Sequence, residues 1–248
     1  MSLRIESLNV DLAGHAVLRD VDVTLEPGHT VAVVGRNGAG KTTLLRSIMG
    51  LVHPRSGRLL CDGEDLLTRP AHRRAAAGFG YAPEDRAIMP TLTVLANVTL
   101  ACEVLRLPRA EIARRLDAVL HAMPQLEPLL PRSGAALSGG QGKIAALARA
   151  LMVGTRYLLL DEPLQGLAPA LARQYGDALR KLRDAHPKLC VVVTESNAAL
   201  LEGIQTATLH IERGRVSKRG AGAAPAANDP IHTTTSDERL APHGRQAT

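Results

Sequence analysis

Val31-Ala32-Val33-Val34-Gly35-Arg36-Asn37-Gly38-Ala39-Gly40-Lys41-Thr42-Thr43 is an unbroken apolar run that gives way to a glycine-rich turn, a lysine and two threonines. Continuous apolar character over 31–34, rather than alternation, predicts a strand covered on both faces, as in a parallel sheet packed between helices. The residues behind it fit G-x-x-x-x-G-K-[ST], and 41–49 reads as a helix. Strand, glycine turn and helix in that order make a phosphate cradle. Glycines let backbone N–H groups wrap an anion closely, and the helix start adds unpaired donors and a positive dipole end. Gly35, Arg36, Asn37, Gly38, Ala39, Gly40, Lys41, Thr42 and Thr43 are therefore the candidate nucleotide-binding residues. Lys41 is expected to reach the β- and γ-phosphates and the Thr42 hydroxyl to ligate Mg²⁺.

Two more apolar runs end in acids. The run 157–160 leads into Asp161-Glu162, and 189–193 leads into Thr194-Glu195. Strands of this kind separated by helices predict an open, mainly parallel α/β sheet with its site at the strands' carboxyl ends. Asp161 is expected to hold the metal through its water shell, and Glu162 to orient or deprotonate an attacking water. The plainer reading, a carboxylate pair capping a helix before Pro163, stays open on these residues alone.

Around this centre, 3–10 and 17–25 alternate as β pieces, and 58–61 followed by Asp62-Gly63 reads as a hairpin, so a small antiparallel portion is expected beside the parallel sheet. From 92 to 123 the pattern turns helical. Ile112, Leu116, Val119, Leu120 and Met123 recur at spacings of three and four between Pro108 and Pro124. From about 220 the chain loses apolar periodicity, and a mobile tail over 220–248 is expected.

Composition narrows the class. In 248 residues there is no tryptophan and one phenylalanine, so a core built from the 45 % hydrophobic content is aliphatic. The start MSLRIESLNV has neither the basic flank nor the apolar run of a leader, and no stretch reaches the roughly 18–20 apolar residues that span a bilayer. A cytosolic chain is expected. Cys61, Cys102 and Cys190 are scattered, which predicts buried thiols rather than a disulfide framework or a zinc site. The net charge of +6 suits a nucleotide or an anionic membrane face as well as nucleic acid. With so few aromatic side chains there is little on which unpaired bases could stack.

Leu137-Ser138-Gly139-Gly140-Gln141, placed between the glycine loop and the Asp161-Glu162 strand and followed by a helical stretch at 143–151, resembles the signature of the ATP-binding-cassette (ABC) family. The resemblance covers about 3–219. It implies a P-loop NTPase ABC cassette, taken as a domain over 1–219 with a helical subdomain inserted at about 90–150. It also implies ATP hydrolysis with Mg²⁺. Two such domains pack head to tail in that family, so Ser138, Gly139, Gly140 and Gln141 of one subunit would close over ATP held by Lys41 of the other.

Finer details resemble the branched-chain amino-acid uptake branch. Gly80-Tyr81-Ala82-Pro83-Glu84-Asp85-Arg86, then Met89-Pro90-Thr91-Leu92-Thr93-Val94 and Asn97, places Glu84 where most cassettes have glutamine, and Leu167-Ala168-Pro169 matches the same branch. Glu84 is expected to face both the metal-bound phosphate and the membrane subunit, against the simpler possibility of a solvated acid pairing with Arg86. The implied partners are integral-membrane permease subunits, a second ABC ATPase subunit and, indirectly, a solute-binding protein, with no nucleic acid. The implied location is cytoplasmic, peripheral on the inner face of the membrane. Two departures stand out: Ser196 lies where the family usually has a histidine that senses the γ-phosphate, and Leu12 lies where an adenine-stacking aromatic is usual, with His15 the nearest flat ring. They favour pairing with an unlike second cassette. Rival readings are an export or lipid-transport ATPase, a regulatory cassette, and a nucleic-acid or ribosome-associated ATPase.

Overall fold

The computed structural model describes residues 2–218; the expected tail at 220–248 lies outside the described residues. In chain order the strands and α-helices are β1 (Leu3–Leu12), β2 (His15–Leu25), β3 (Thr30–Val34), α1 (Lys41–Ile48), β4 (Ser56–Cys61), β5 (Glu64–Asp65), α2 (Arg73–Ala76), β6 (Phe79–Ala82), α3 (Val94–Val104), α4 (Arg109–Ala122), α5 (Gly139–Val153), β7 (Tyr157–Asp161), α6 (Pro169–Ala185), β8 (Cys190–Glu195), β9 (Ala207–Glu212) and β10 (Arg215–Lys218).

Six strands form one sheet in the order β10-β9-β3-β8-β7-β6, and four form a second in the order β2-β1-β4-β5. In the first sheet β9, β3, β8, β7 and β6 run parallel, and β10 returns antiparallel on β9. Every pairing in the second is antiparallel, with the β4–β5 hairpin turning at Asp62 and Gly63, both at positive φ.

The apolar strands are continuous because each of their faces has its own cover. Ala32, Val34, Leu158, Leu160, Val191 and Val193 pack into the cluster that holds the buried residues of α3, α4, α5 and α6. Val31, Val33, Leu159, Cys190 and Val192 point the other way, among Leu44, Leu45 and Ile48 of α1 and the inner residues of the antiparallel sheet. Successive strand side chains alternate between faces, so a strand between two apolar layers must be apolar throughout. All three cysteines are buried thiols. Among the described residues no helix is long and apolar enough to cross a membrane.

Several elements differ from their sequence reading. The helical stretch predicted over 92–123 is two helices, broken where Arg106 takes φ 56° ahead of Pro108. The helix at 143–151 begins earlier, at Gly139, because Ser138 caps it and Gln141 completes a capping box with the Ser138 backbone. No element is predicted at 169–185, yet α6 forms there, with Pro169 at its start and Tyr175, Ala178, Leu179 and Leu182 on its buried face. Asn97, read with the uptake-branch pattern, is fully buried: its side chain accepts from Met89 N (2.8 Å) and donates to Met89 O (3.0 Å) and Thr93 O (2.9 Å), pinning the loop before α3.

Gly80 shows how closely β6 and α5 approach. A Cβ there would stand 2.1 Å from the Ala150 carbonyl oxygen and 2.9 Å from the Gly154 Cα. Both are backbone atoms, so relief requires moving a strand or a helix. Gly80→Ala should therefore lower unfolding free energy by about 1–3 kcal/mol in denaturant titration; an unchanged midpoint would contradict this packing.

Candidate functional site

Parallel register brings the predicted groups together. Val34 pairs with Glu195, Asp161 with Thr194 and Ala82 with Leu160, so β3, β8, β7 and β6 end side by side. Polar residues at the strand ends and in the loops that follow gather there. A cleft of about 350 Å³ opens at this edge, lined by Asn37, Gly38, Gly40, Lys41, Thr42 and Thr43 of the loop and α1, together with Val17, Glu84 and Glu162. A shallow hollow of similar size at Arg4, Leu60 and Asp62 holds none of the predicted groups.

Gly40 takes φ 111°, in the left-handed region that strains any side chain, so the turn into α1 demands glycine. Behind it Lys41 is 4 % exposed and its ammonium is fully engaged: Nζ donates to Gly35 O at 2.7 Å and Arg36 O at 3.2 Å, and lies 2.9 Å from Glu162 Oε1. Glu162, itself buried, receives its other contact from Ser196, whose Oγ lies 3.2 Å from Glu162 Oε2 and 3.1 Å from Asn37 Oδ1. One hydroxyl proton serves one of those acceptors at a time.

Asp161 is gripped on both oxygens. Oδ1 accepts from Thr42 Oγ1 at 3.1 Å and Thr194 Oγ1 at 2.9 Å, and Oδ2 accepts from the Tyr81 hydroxyl at 3.2 Å. Burial first, and then the Asp161 charge, push the Tyr81 phenol well above its ordinary value, which keeps it a neutral donor. Thr42 and Asp161 together offer two hard oxygen donors beside a phosphate-sized cleft. That set fits Mg²⁺, which takes one or two protein oxygens and fills its shell with phosphate oxygens and water.

Not every predicted residue lines the cleft. Gly35, Arg36 and Ala39 lie in the loop outside its lining, Asp161 is buried behind Thr42, and Ser196 stands behind Glu162 and Asn37. Ser138, Gly139, Gly140 and Gln141 also lie outside it, with Ser138 and Gly139 exposed at the start of α5 and the Ser138 and Gln141 side chains occupied in the cap. Glu84 makes no ion pair with Arg86 among the described residues; Arg86 instead turns toward α5, its Cδ 3.1 Å from where a Cβ on Gly142 would be. Leu12, 40 % exposed, pairs with His15 at the tip of the β1–β2 hairpin.

Four residues around the site carry no predicted role: Tyr81, Lys143, Thr194 and Glu195. Thr194 and Glu195 were findable, since a polar pair closing an apolar run beside Asp161 falls at the same sheet edge. Lys143 has no such signal, because its neighbours at 162 and 165 are remote in sequence.

The family model described as ABC transporter matches residues 18–165. A probable branched-chain amino acid transport ATP-binding protein of Archaeoglobus fulgidus, LivF, is 35 % identical over 218 residues, covering 88 % of this chain and 91 % of its own. A lipopolysaccharide export system ATP-binding protein of Acidithiobacillus ferridurans, LptB, is 32 % identical over 219 residues, covering 88 % and 90 %. A solved structure described as the ATP binding subunit of an ABC transporter superposes with a TM-score of 0.77 at 28 % identity, covering 89 % of this chain and 90 % of that one.

Glu195 gives the site a titratable group of its own. It is 1 % exposed, and burial pushes its carboxyl up to about 7, with Glu162 adding to the rise and the Leu164 N–H, Lys143 and Lys41 opposing it. Tyr175 also packs within its field. The folded chain thus keeps the proton where the unfolded chain, near the ordinary 4.5, has released it. The contribution of Glu195 to stability therefore falls as pH rises from 4.5 to about 7 and levels off above. Glu195→Gln removes that dependence, so its melting temperature should gain on the parent across this window; a gap that stays constant with pH would refute the shift.

Proposed function

The chain belongs to the ABC transporter family, whose cassettes hydrolyse ATP, and on that footing we propose that it powers a membrane importer for branched-chain amino acids or related small solutes. The observation that carries the catalytic reading is the Lys41–Glu162 contact at 2.9 Å, with Thr42 of the cleft lining 3.1 Å from the buried Asp161 behind it. The importer reading draws on the relative named for branched-chain transport, on Glu84 in the cleft lining and on Leu167-Ala168-Pro169. The relative named for lipopolysaccharide export supports a second reading, an export or lipid-transport system.

In this proposal the backbone N–H groups of 35–43 and the positive end of α1 hold the phosphates. Lys41 exchanges its carbonyl and carboxylate partners for phosphate oxygens, which releases Glu162 Oε1 toward water. Thr42 and Asp161 would hold Mg²⁺, which when bound would supply charge neutralisation on the phosphates. Glu162 accepts the water's proton or orients the water, and Ser196 stands at the usual γ-phosphate-sensing position with a single hydroxyl proton to give either to the far carboxylate oxygen of Glu162 or to a phosphate. Ser196 has one donor and a short reach, so it senses less strongly than an imidazole.

ATP-site closure needs a second cassette, since Ser138, Gly139, Gly140 and Gln141 lie outside their own chain's cleft with Ser138 and Gly139 exposed, and permease subunits receive the motion. An unlike partner cassette bearing the histidine and the stacking aromatic is favoured by Ser196 and by aliphatic Leu12. The 1–219 ATPase domain, its helical part at about 90–150 and a peripheral seat on the cytoplasmic face belong to the same proposal, with a solute-binding protein as an indirect partner.

Glu162→Gln should cut turnover by about 10²-fold or more while ATP still binds and a closed dimer accumulates; undiminished turnover would remove Glu162 as the base. In vesicles with the permease subunits, Glu84→Ala should uncouple transport from hydrolysis while ATP affinity stays within about twofold, a change of under 0.5 kcal/mol. Branched-chain amino-acid uptake by those vesicles supports the importer reading; solute-independent turnover that follows lipid extraction supports the exporter.

A further inference from the structure

Glu162 sits at φ 43°, in the left-handed region that costs a side-chain-bearing residue strain unless its surroundings hold it. The segment 162–165 is held from two sides. From α5, Lys143 Nζ donates to the Glu162 carbonyl at 2.7 Å and the Gln165 carbonyl at 2.8 Å. From the end of β8, Glu195 Oε1 accepts the Leu164 N–H at 2.8 Å, and Thr194 Oγ1 accepts the Glu162 N–H at 3.1 Å. One side is cationic and takes carbonyls. The other is a buried carboxyl and takes an amide.

We propose that Lys143 and Glu195 form a two-sided clamp on 162–165 that positions the Glu162 carboxylate and makes its aim depend on where α5 sits. Neither residue lines the cleft and both act on the backbone of the segment, so both are positioning residues. The coupling follows from geometry. Lys143 stands near the start of α5, the helix that opens with Gly139 and Gly140 under the Ser138 cap. A shift of α5 drags the Glu162 and Gln165 carbonyls with it, while Thr194 keeps the Glu162 amide and Glu195 the Leu164 amide fixed to β8. The peptide units around Glu162 then rotate between a moving anchor and a fixed one. Displacing a group that must meet its reactant by about 1 Å can cost on the order of 10²-fold in rate, so a small helix movement suffices to switch turnover.

The inference rests on the reading of Glu162 as the group that acts on water, and the test separates the two. Steady-state ATP hydrolysis by the full chain with its partner subunits is measured for Lys143→Met, Lys143→Arg, Glu195→Leu and Glu195→Gln, beside Glu162→Gln, with melting temperatures for each. Lys143→Met and Glu195→Leu should lower kcat by about tenfold or more with KM within about threefold, because a positioning loss falls on the transition state. Lys143→Arg keeps the charge and donors, and Glu195→Gln keeps an acceptor for Leu164, so both should recover most of kcat. The double variant Lys143→Met with Glu195→Leu should lose less than the product of the single losses, since a clamp open on one side has little left to lose. Unchanged kcat in Lys143→Met beside an inactive Glu162→Gln overturns the clamp alone, as do Arg and Gln variants that fail like Met and Leu. Full turnover by Glu162→Gln instead overturns the base on which the clamp acts. If Lys143→Met or Glu195→Leu does not fold, the comparison of Lys143→Arg with Lys143→Gln decides: equal kcat refutes the clamp.

Discussion

A parallel strand covered on both faces can carry no unsatisfied polar side chain along its length, and this constraint organises the molecule. β3, β7 and β8 are apolar through their middles, with polar residues only at their ends, because α-helices cover one face and α1 with the antiparallel sheet covers the other. Polar chemistry is thereby pushed off the strands to where they stop. Register then decides which groups meet, and pairing Val34 with Glu195 and Asp161 with Thr194 puts the loop lysine beside the Glu162 carboxylate.

The same burial makes the edge electrostatically demanding. An isolated charge in such a place is costly, and each one here is answered by named partners. Lys41 has two carbonyls and a carboxylate, Asp161 has three hydroxyls, and Lys143 has two carbonyls. Glu195 has an amide and is the group whose ionisation burial opposes most visibly. Buried polar groups with full hydrogen bonding give a rigid arrangement, and rigidity at 162–165 is what allows movement of α5 to be transmitted instead of absorbed.

Legibility followed the range of the interaction. Strand, glycine turn and helix at 31–49 are contiguous, and so is the acid pair at 161–162, so local pattern suffices for both. The helix at 169–185 had a readable apolar spacing at Tyr175, Leu179 and Leu182, masked by a polar majority on its exposed face. The break at Arg106 depends on one residue accepting positive φ, which composition does not announce. Asn97 carries a pattern-level resemblance, yet its place is decided by a buried hydrogen-bond set that only the folded loop supplies.

By itself the sequence determined the phosphate loop, the acid-terminated strands and the family, because each is written in adjacent residues whose spacing the backbone enforces. Only the tertiary structure decided that Tyr81 and Thr194 hold Asp161, that the Ser138 to Gln141 signature stands outside its own chain's cleft, and that Lys143 and Glu195 grip one segment from opposite elements. The physical reason is that these contacts join residues 19 to 80 positions apart. Their distances are set by sheet register and helix packing, and no local periodicity encodes them.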